Sequence, residues 1–166
     1  MIQIDEDIVI RCQRGEKDAF REVVAAYQRM VFSLALKMLC DEDEAKDMVQ
    51  ETFVKVWLNM SEYDCRRSFS TWIYTIALRT CLDRIKSQRR TLPMPEDEAV
   101  FRDFATEEDG LRTLENREWA SIVRVLAEGL GEEQRVVFTL VQLEGFSSQE
   151  VEEITGWDAK QVKSNL

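Results

Sequence analysis

Both prolines of this chain, Pro93 and Pro95, fall in one stretch, TLPMPEDEAVFRDFATEED from Thr91 to Asp109, where the helical period of its surroundings stops. Proline lacks an amide donor and clashes with the preceding turn, so no helix is expected to run through such a stretch. A chain of 166 residues can bury one good core or divide into two small units, and this interruption favours division. On either side glycines are few, β-branched alternation is absent and apolar residues recur at three- and four-residue steps. The predicted fold class is all-α: two small helical domains, at 1–90 and 111–166, joined by an acidic flexible linker over 91–110.

Within the first domain a short helix from about Asp5 to Arg14 is expected to stop at Gly15. A core helix over Lys17–Leu39 carries Phe20, Val23, Val24, Tyr27, Val31, Leu34 and Met38 on one stripe. Asp41 and Glu44 have the spacing of a capping box and open a third helix that reaches Leu58. Its inward face reads Ala45, Met48, Val49, Thr52 and Val56, which leaves Asp47, Gln50, Glu51, Val54 and Trp57 nearer the outside. That face is either a partner-binding surface or a helix end with a partly covered Trp.

The stretch FSTWIYTIALRTCLDRIKSQRR, Phe69–Arg90, is a long helix with two different faces. Tyr74, Ala77, Leu78, Cys81 and Ile85 gather on one side, while Trp72, Arg79, Asp83, Lys86 and Arg90 occupy the other. Arg66, Arg67 and Phe69 lie just upstream, so cations and aromatics interleave at one end of the basic face. An indole in line with cations suits stacking on bases and gripping phosphates; the alternative is an ordinary solvated face with a half-covered Trp.

Helical period returns after Gly110 with a stripe of Leu111, Leu114, Trp119, Ile122, Val123, Leu126 and Leu130, then with Val136, Val137, Leu140 and Leu143 facing in. Ser147 and Glu150 form a second capping box, Gly156 ends that helix and Asp158 caps the next. Two short helices about a tight turn, the second bearing Lys160, Gln161, Lys163, Ser164 and Asn165, make a helix-turn-helix pattern.

Formal net charge is −10, which argues against indiscriminate binding to duplex nucleic acid. The charge is uneven: five cations stand against Asp83 between Arg79 and Arg90, and seven acids against Arg102 between Glu96 and Asp109. No histidine is present and Cys12, Cys40, Cys65 and Cys81 stand far apart without a CxxC pair, so no catalytic residues, metal site or cofactor are expected. No apolar run approaches a membrane span and the N-terminus is polar, which predicts a reduced, cytoplasmic protein without signal peptide or membrane insertion.

In this order the residues resemble the bacterial extracytoplasmic-function (ECF, group 4) sigma factors of RNA polymerase, over nearly the whole chain. Asp47-Met48-Val49-Gln50-Glu51-Thr52-Phe53 with Trp57 is similar to the family's core-binding motif, and Phe69-Ser70-Thr71-Trp72-Ile73, Ile76-Ala77 and Leu82-Asp83 to its melting and minus-ten segment. Arg135-Val136-Val137-Phe138, Glu144-Gly145-Phe146-Ser147, Glu150-Val151 and Val162-Lys163-Ser164-Asn165-Leu166 resemble its minus-thirty-five reader. Arg79 stands where many members have Asn, and Glu152 where many have Ala. The family's recognition helix continues past Leu166, so the chain is expected to be truncated there.

The resemblance implies a transcription initiation factor that binds core polymerase, directs it to promoters and helps melt the minus-ten element. The implied partners are the β′ clamp and β flap of core RNA polymerase, promoter DNA and an anti-sigma factor. It implies core-polymerase contacts at Asp47, Gln50, Glu51, Val54 and Trp57. Minus-ten contacts fall to Arg66, Arg67, Phe69, Trp72, Arg79, Asp83, Lys86 and Arg90, and minus-thirty-five contacts to Lys160, Gln161, Lys163, Ser164 and Asn165. Competing readings of the same residues are a helix-turn-helix regulator that binds duplex operators alone and a helical adaptor that binds only proteins.

Overall fold

The computed structural model describes residues 2–90 and 110–166, with side chains from 2–88 and 115–166; the linker stretch 91–109, the side chain of Arg90 and the Leu111 and Leu114 positions of the second stripe lie outside the described residues. Among the described residues every regular element is helical: α1 (Glu6–Gln13), α2 (Lys17–Leu39), α3 (Glu42–Leu58), a 3-10 turn (Met60–Glu62), α4 (Phe69–Arg90), α5 (Gly110–Ala127), α6 (Glu132–Phe138) running into a π turn (Thr139–Leu143), α7 (Ser148–Thr155) and α8 (Ala159–Ser164). None of these helices is long and apolar enough to cross a membrane.

The three long helices α2, α3 and α4 pack on one another, with α1 against α2. All seven residues of the expected α2 stripe are buried, and Tyr27, Leu34, Met38, Met48, Ile73 and Leu78 are almost wholly closed off from solvent. Each such side chain contributes about 1.5–3 kcal/mol by leaving water, so this layer is what gives the first domain its stability. Local chemistry sets the helix ends. Asp5 accepts from the Asp7 amide at 3.1 Å, and Gly15 takes φ +85° just beyond α1. Asp41 accepts from the Glu44 amide at 2.9 Å, but only half of the expected capping box forms, because the Glu44 carboxylate lies 3.1 Å from Nε of Arg84 on α4. Helix α2 ends on Cys40 at φ +55°, a left-handed position usually left to glycine.

The second segment folds back on the first. Helix α5 packs against α2 and α3, α7 lies on α4, and α8 lies on α7. Ala120, Val136, Leu140, Val151, Ile154 and Val162 thereby join one continuous buried set with the residues of α2, α3 and α4. Here the expected α5 stripe needs correction. Val123 is buried, together with the small Ala120 and Ala127, whereas Trp119 (50%), Ile122 (54%), Val125 (66%) and Leu126 (55%) are exposed. Small residues let the helix axis approach its neighbours closely, and that approach turns the larger apolar side chains outward.

Candidate functional site

The basic face of α4 begins at an aromatic cluster. Phe69 stacks on Trp72 with ring centres 5.7 Å apart and planes at 29°, and Tyr63 leans on both rings at 5.0 Å. Phe69 also meets Tyr27 edge-on at 5.6 Å. Trp72 is therefore half-buried rather than isolated among cations, and Phe69 is buried beneath it. The cluster holds an indole edge at the surface in one orientation, which suits a stacking platform.

Local hydrogen bonds brace the loop before α4. Gln13 of α1 donates to the carbonyls of Met60 and Tyr63, at 3.3 and 3.1 Å, and the Tyr63 hydroxyl donates to Arg67 O at 2.5 Å. Ser70 donates to Ile2 O at 2.7 Å and shares a hydrogen bond of 3.0 Å with the Tyr27 hydroxyl, tying the N-terminal segment across the helix start. Between that segment and the loop opens a cavity of ≈ 390 Å³, lined by Ile2, Ile4, Tyr63, Cys65, Ser68 and Phe69 among others. Burial pushes the Tyr63 phenol up from its ordinary value, so its proton stays on to hold Arg67.

The candidate minus-ten cations differ in their freedom. Arg66 forks onto the Asp64 carboxylate at 3.1 and 3.0 Å, and the hydrogen bonds from Arg66 hold that carboxyl below its ordinary value. Arg67 and Arg79 are exposed, as are Asp83, 3.9 Å from Lys55, and Lys86, 3.9 Å from Glu132 of α6.

On α3, Asp47 is exposed and 3.5 Å from Arg84, and Glu51 pairs with Lys55 at 2.8 Å. Gln50, Val54 and Trp57 are half-buried, with Trp57 edge-on to Phe20 at 4.9 Å, and Leu58 beside it is 70% exposed. On α8, Lys160, Gln161, Lys163 and Ser164 are exposed while Val162 is buried against the rest of the domain. Asn165 is half-buried and donates to Glu133 at 3.1 Å. The structure thus gathers α3 and α4 candidates on one helical layer and sets the α8 candidates on a separate element.

Sequence reasoning missed the outward apolar face of α5. The available signal was a helix carrying two apolar stripes at once, a small one (Ala120, Val123, Ala127) beside a large one (Trp119, Ile122, Leu126). Glu144 entered only as part of the minus-thirty-five resemblance; its contacts with Lys37 of α2 and Tyr74 of α4 were not foreseen, because nothing local marks a carboxylate that finds its partners so far along the chain.

Two family descriptions match the chain: Sigma-70 region 2 over residues 23–91 and Sigma-70 region 4 over residues 121–166. The ECF RNA polymerase sigma-E factor of Haemophilus influenzae is 30% identical, with 98% of this chain and 89% of the relative covered. The structure of CnrH in complex with the cytosolic domain of CnrY shares the fold with a TM-score of 0.68 at 22% identity, over 98% of this chain and 89% of that one. An engineered region 2 of sigmaE in complex with GTAAAA matches with a TM-score of 0.51 at 35% identity, covering 55% of this chain and 96% of that one. A layered helical region 2 together with a helix-turn-helix region 4 defines a promoter-directing transcription initiation factor, a class without enzymatic chemistry. Within that class the chain belongs to the ECF RNA polymerase sigma factors.

Proposed function

We propose that residues 1–90 bind core RNA polymerase through α3 and open the minus-ten element through α4, and that residues 111–166 read the minus-thirty-five element through α8. Asp47, Gln50, Glu51, Val54 and Trp57 form the face that docks on the β′ clamp. The apolar face of α5, centred on Trp119 and Ile122, takes an apolar element of the β flap, and an anti-sigma factor competes for these surfaces. Lys160, Gln161, Lys163, Ser164 and Asn165 meet duplex DNA. The chain acts in the cytoplasm and supplies no covalent step.

One observation carries the melting role: Trp72 is held by Phe69 and Tyr63 at the start of a helix whose Arg79 and Lys86 are exposed, beside the cavity under the Tyr63–Ser68 loop. Extruding a base costs a few kcal/mol, and stacking on an aromatic returns about 1–3 kcal/mol per base, so capture offsets much of the melting cost. Region 2 of sigmaE, the relative solved with GTAAAA, supports an assignment of single-stranded DNA to this face. The net charge of −10 fits a factor whose affinity for DNA comes through polymerase.

The test uses the chain assembled with core polymerase and a randomised pool of single-stranded DNA. Gln50→Ala with Trp57→Ala should abolish assembly. Trp72→Ala should assemble normally and bind the pool about 5- to 150-fold more weakly, the equivalent of one lost stack. Unchanged binding by Trp72→Ala excludes the stacking role, and no assembly by the parent chain excludes the polymerase role.

A further inference from the structure

We infer that Glu6, at the start of α1, helps set which base the minus-ten surface holds: its carboxylate meets the polar edge of an extruded base that carries an exocyclic amine, and it disfavours thymine. This rests on the reading of α4 as the surface that captures single-stranded DNA. The choice of Glu6 rests on how α1 is built against the loop before α4.

One stripe of side chains joins α1 to that loop. Glu6, Val9 and Gln13 stand three and four residues apart, so they share a helix face. Gln13 at one end donates to the carbonyls of Met60 and Tyr63. Val9 in the middle is buried, and Val9 and Glu6 both line the cavity of ≈ 390 Å³. At the other end of the stripe the Asp5 side chain caps the helix through the Asp7 amide, which fixes Glu6 as the first helical residue. The charge of Glu6 is felt across this space: burial is the chief cause that raises the Tyr63 phenol, and Cys65, Tyr27, Asp64 and Glu6 add to it in that order.

The N-terminal segment that forms the facing wall is anchored in the core. Ile2 O accepts from the Ser70 hydroxyl at 2.7 Å and from the Tyr27 hydroxyl at 3.3 Å, and both of those side chains are buried. The cavity is therefore bounded by held groups on both sides, and a ligand entering it meets a fixed set of atoms.

That set has a definite chemistry. Tyr63 and Phe69 supply aromatic wall, and among the described residues lining the cavity Glu6 is the one charged side chain, with no cation beside it. A phosphate would be repelled there, while Arg67, Arg79 and Lys86 stand exposed elsewhere on the surface. What suits such a lining is a flat neutral ring with its polar edge toward the acid. Glu6 is exposed and has no ion-pair partner among the described residues, so its oxygens remain available. An ionised carboxylate can only accept. Adenine, cytosine and guanine each offer it an amine on their pairing edge. Thymine offers a single N–H between two carbonyls, which sets acceptor against acceptor and leaves polar groups unmet.

The test sequences the DNA that the chain, assembled with core polymerase, retains from a randomised single-stranded pool. In the parent, one position of the retained sequences should be depleted of thymine by at least about fivefold, the low end for a specific base contact. Enrichment of any one amine-bearing base at that position supports the inference and tells purine from pyrimidine. Glu6→Gln, whose amide both donates and accepts, should abolish the depletion. Far-UV circular dichroism and assembly with polymerase, which goes through α3, serve as the folding controls. Depletion that persists in Glu6→Gln overturns the inference, as does a parent that retains DNA without any depletion. A variant that retains less DNA with the parent's base preference also overturns it, since Glu6 then serves only to hold α1. A parent that assembles but retains no single-stranded DNA overturns the capture reading, and one that does not assemble overturns the polymerase reading, and the inference falls with either.

Discussion

A cysteine in this chain is set apart from the others by its surroundings. Cys12 and Cys81 are buried and burial pushes their thiols up, to about 11 and about 12; burial raises Cys40 as well. Cys65 alone of the four is exposed, in the loop beside the cavity. The thiolate is the reactive form, so at pH 8 a maleimide should modify Cys65 rapidly and the other three only as fast as the structure opens. Mass spectrometry over time reads this directly, and two sites labelled at equal early rates would refute it. Both Cys12 and Cys65 lie near arginines, but Cys12 falls in an apolar helical context that marks it for burial, as it does Cys40 and Cys81, and the packing agrees. The tryptophans depend more on packing. Trp57 and Trp72 fall on polar faces by helical phase, yet each is half-covered by an aromatic neighbour, Phe20 or Phe69, and Trp119 stands outside although its sequence places it in an apolar stripe.

Helix ends show where local rules suffice. At α7 the box is complete: the Ser147 amide donates to the Glu150 carboxylate at 2.8 Å, and the Ser147 hydroxyl accepts from the Glu150 amide at 3.3 Å. Ser147→Ala should destabilise the chain by about 1 kcal/mol, lowering the melting temperature by about 2–4 °C, and an unchanged melt would show that α7 does not depend on this cap. The hydrogen bonds from Ser147 hold the Glu150 carboxyl below its ordinary value of 4.5. A lowered folded pKa means stabilisation present above the unfolded value and lost as pH falls through the folded one. The stability advantage of the parent over Glu150→Gln should therefore be full at pH 7 and fade below about pH 4; an advantage that grows in acid would contradict the assignment. This box was legible because both partners lie within four residues. The matching box at Asp41 was half-legible, since Arg84, forty positions on, draws Glu44 away. The phase of α5 was only partly legible: Val123 is buried as expected, but two apolar stripes were on offer. Its small residues and its large ones are equally apolar, and which set turns inward depends on how closely α2 and α3 allow the helix to approach.

At the scale of the whole molecule the division at Pro93 and Pro95 and the continuity of the buried set make opposite demands on unfolding. Two domains held only by a connecting stretch would melt independently, each with its own enthalpy. Here the residues of α5, α6, α7 and α8 that are buried belong to the same set as those of α2, α3 and α4, and Glu144, Arg124 and Arg135 reach across. Breaking that interface first would expose apolar residues of the shared buried set to water, so neither half gains by leaving early. Calorimetry of the parent should therefore give one transition, with an enthalpy on the order of 0.7 kcal/mol per residue near 60 °C and a van't Hoff value equal to it. In Lys37→Glu with Tyr74→Phe the coupling is reduced, and the van't Hoff enthalpy should fall to about half of the calorimetric value as the halves melt separately. A ratio near one half in the parent itself would show that the two domains are thermodynamically independent, and that the contacts between them are too weak to set the state of the free protein.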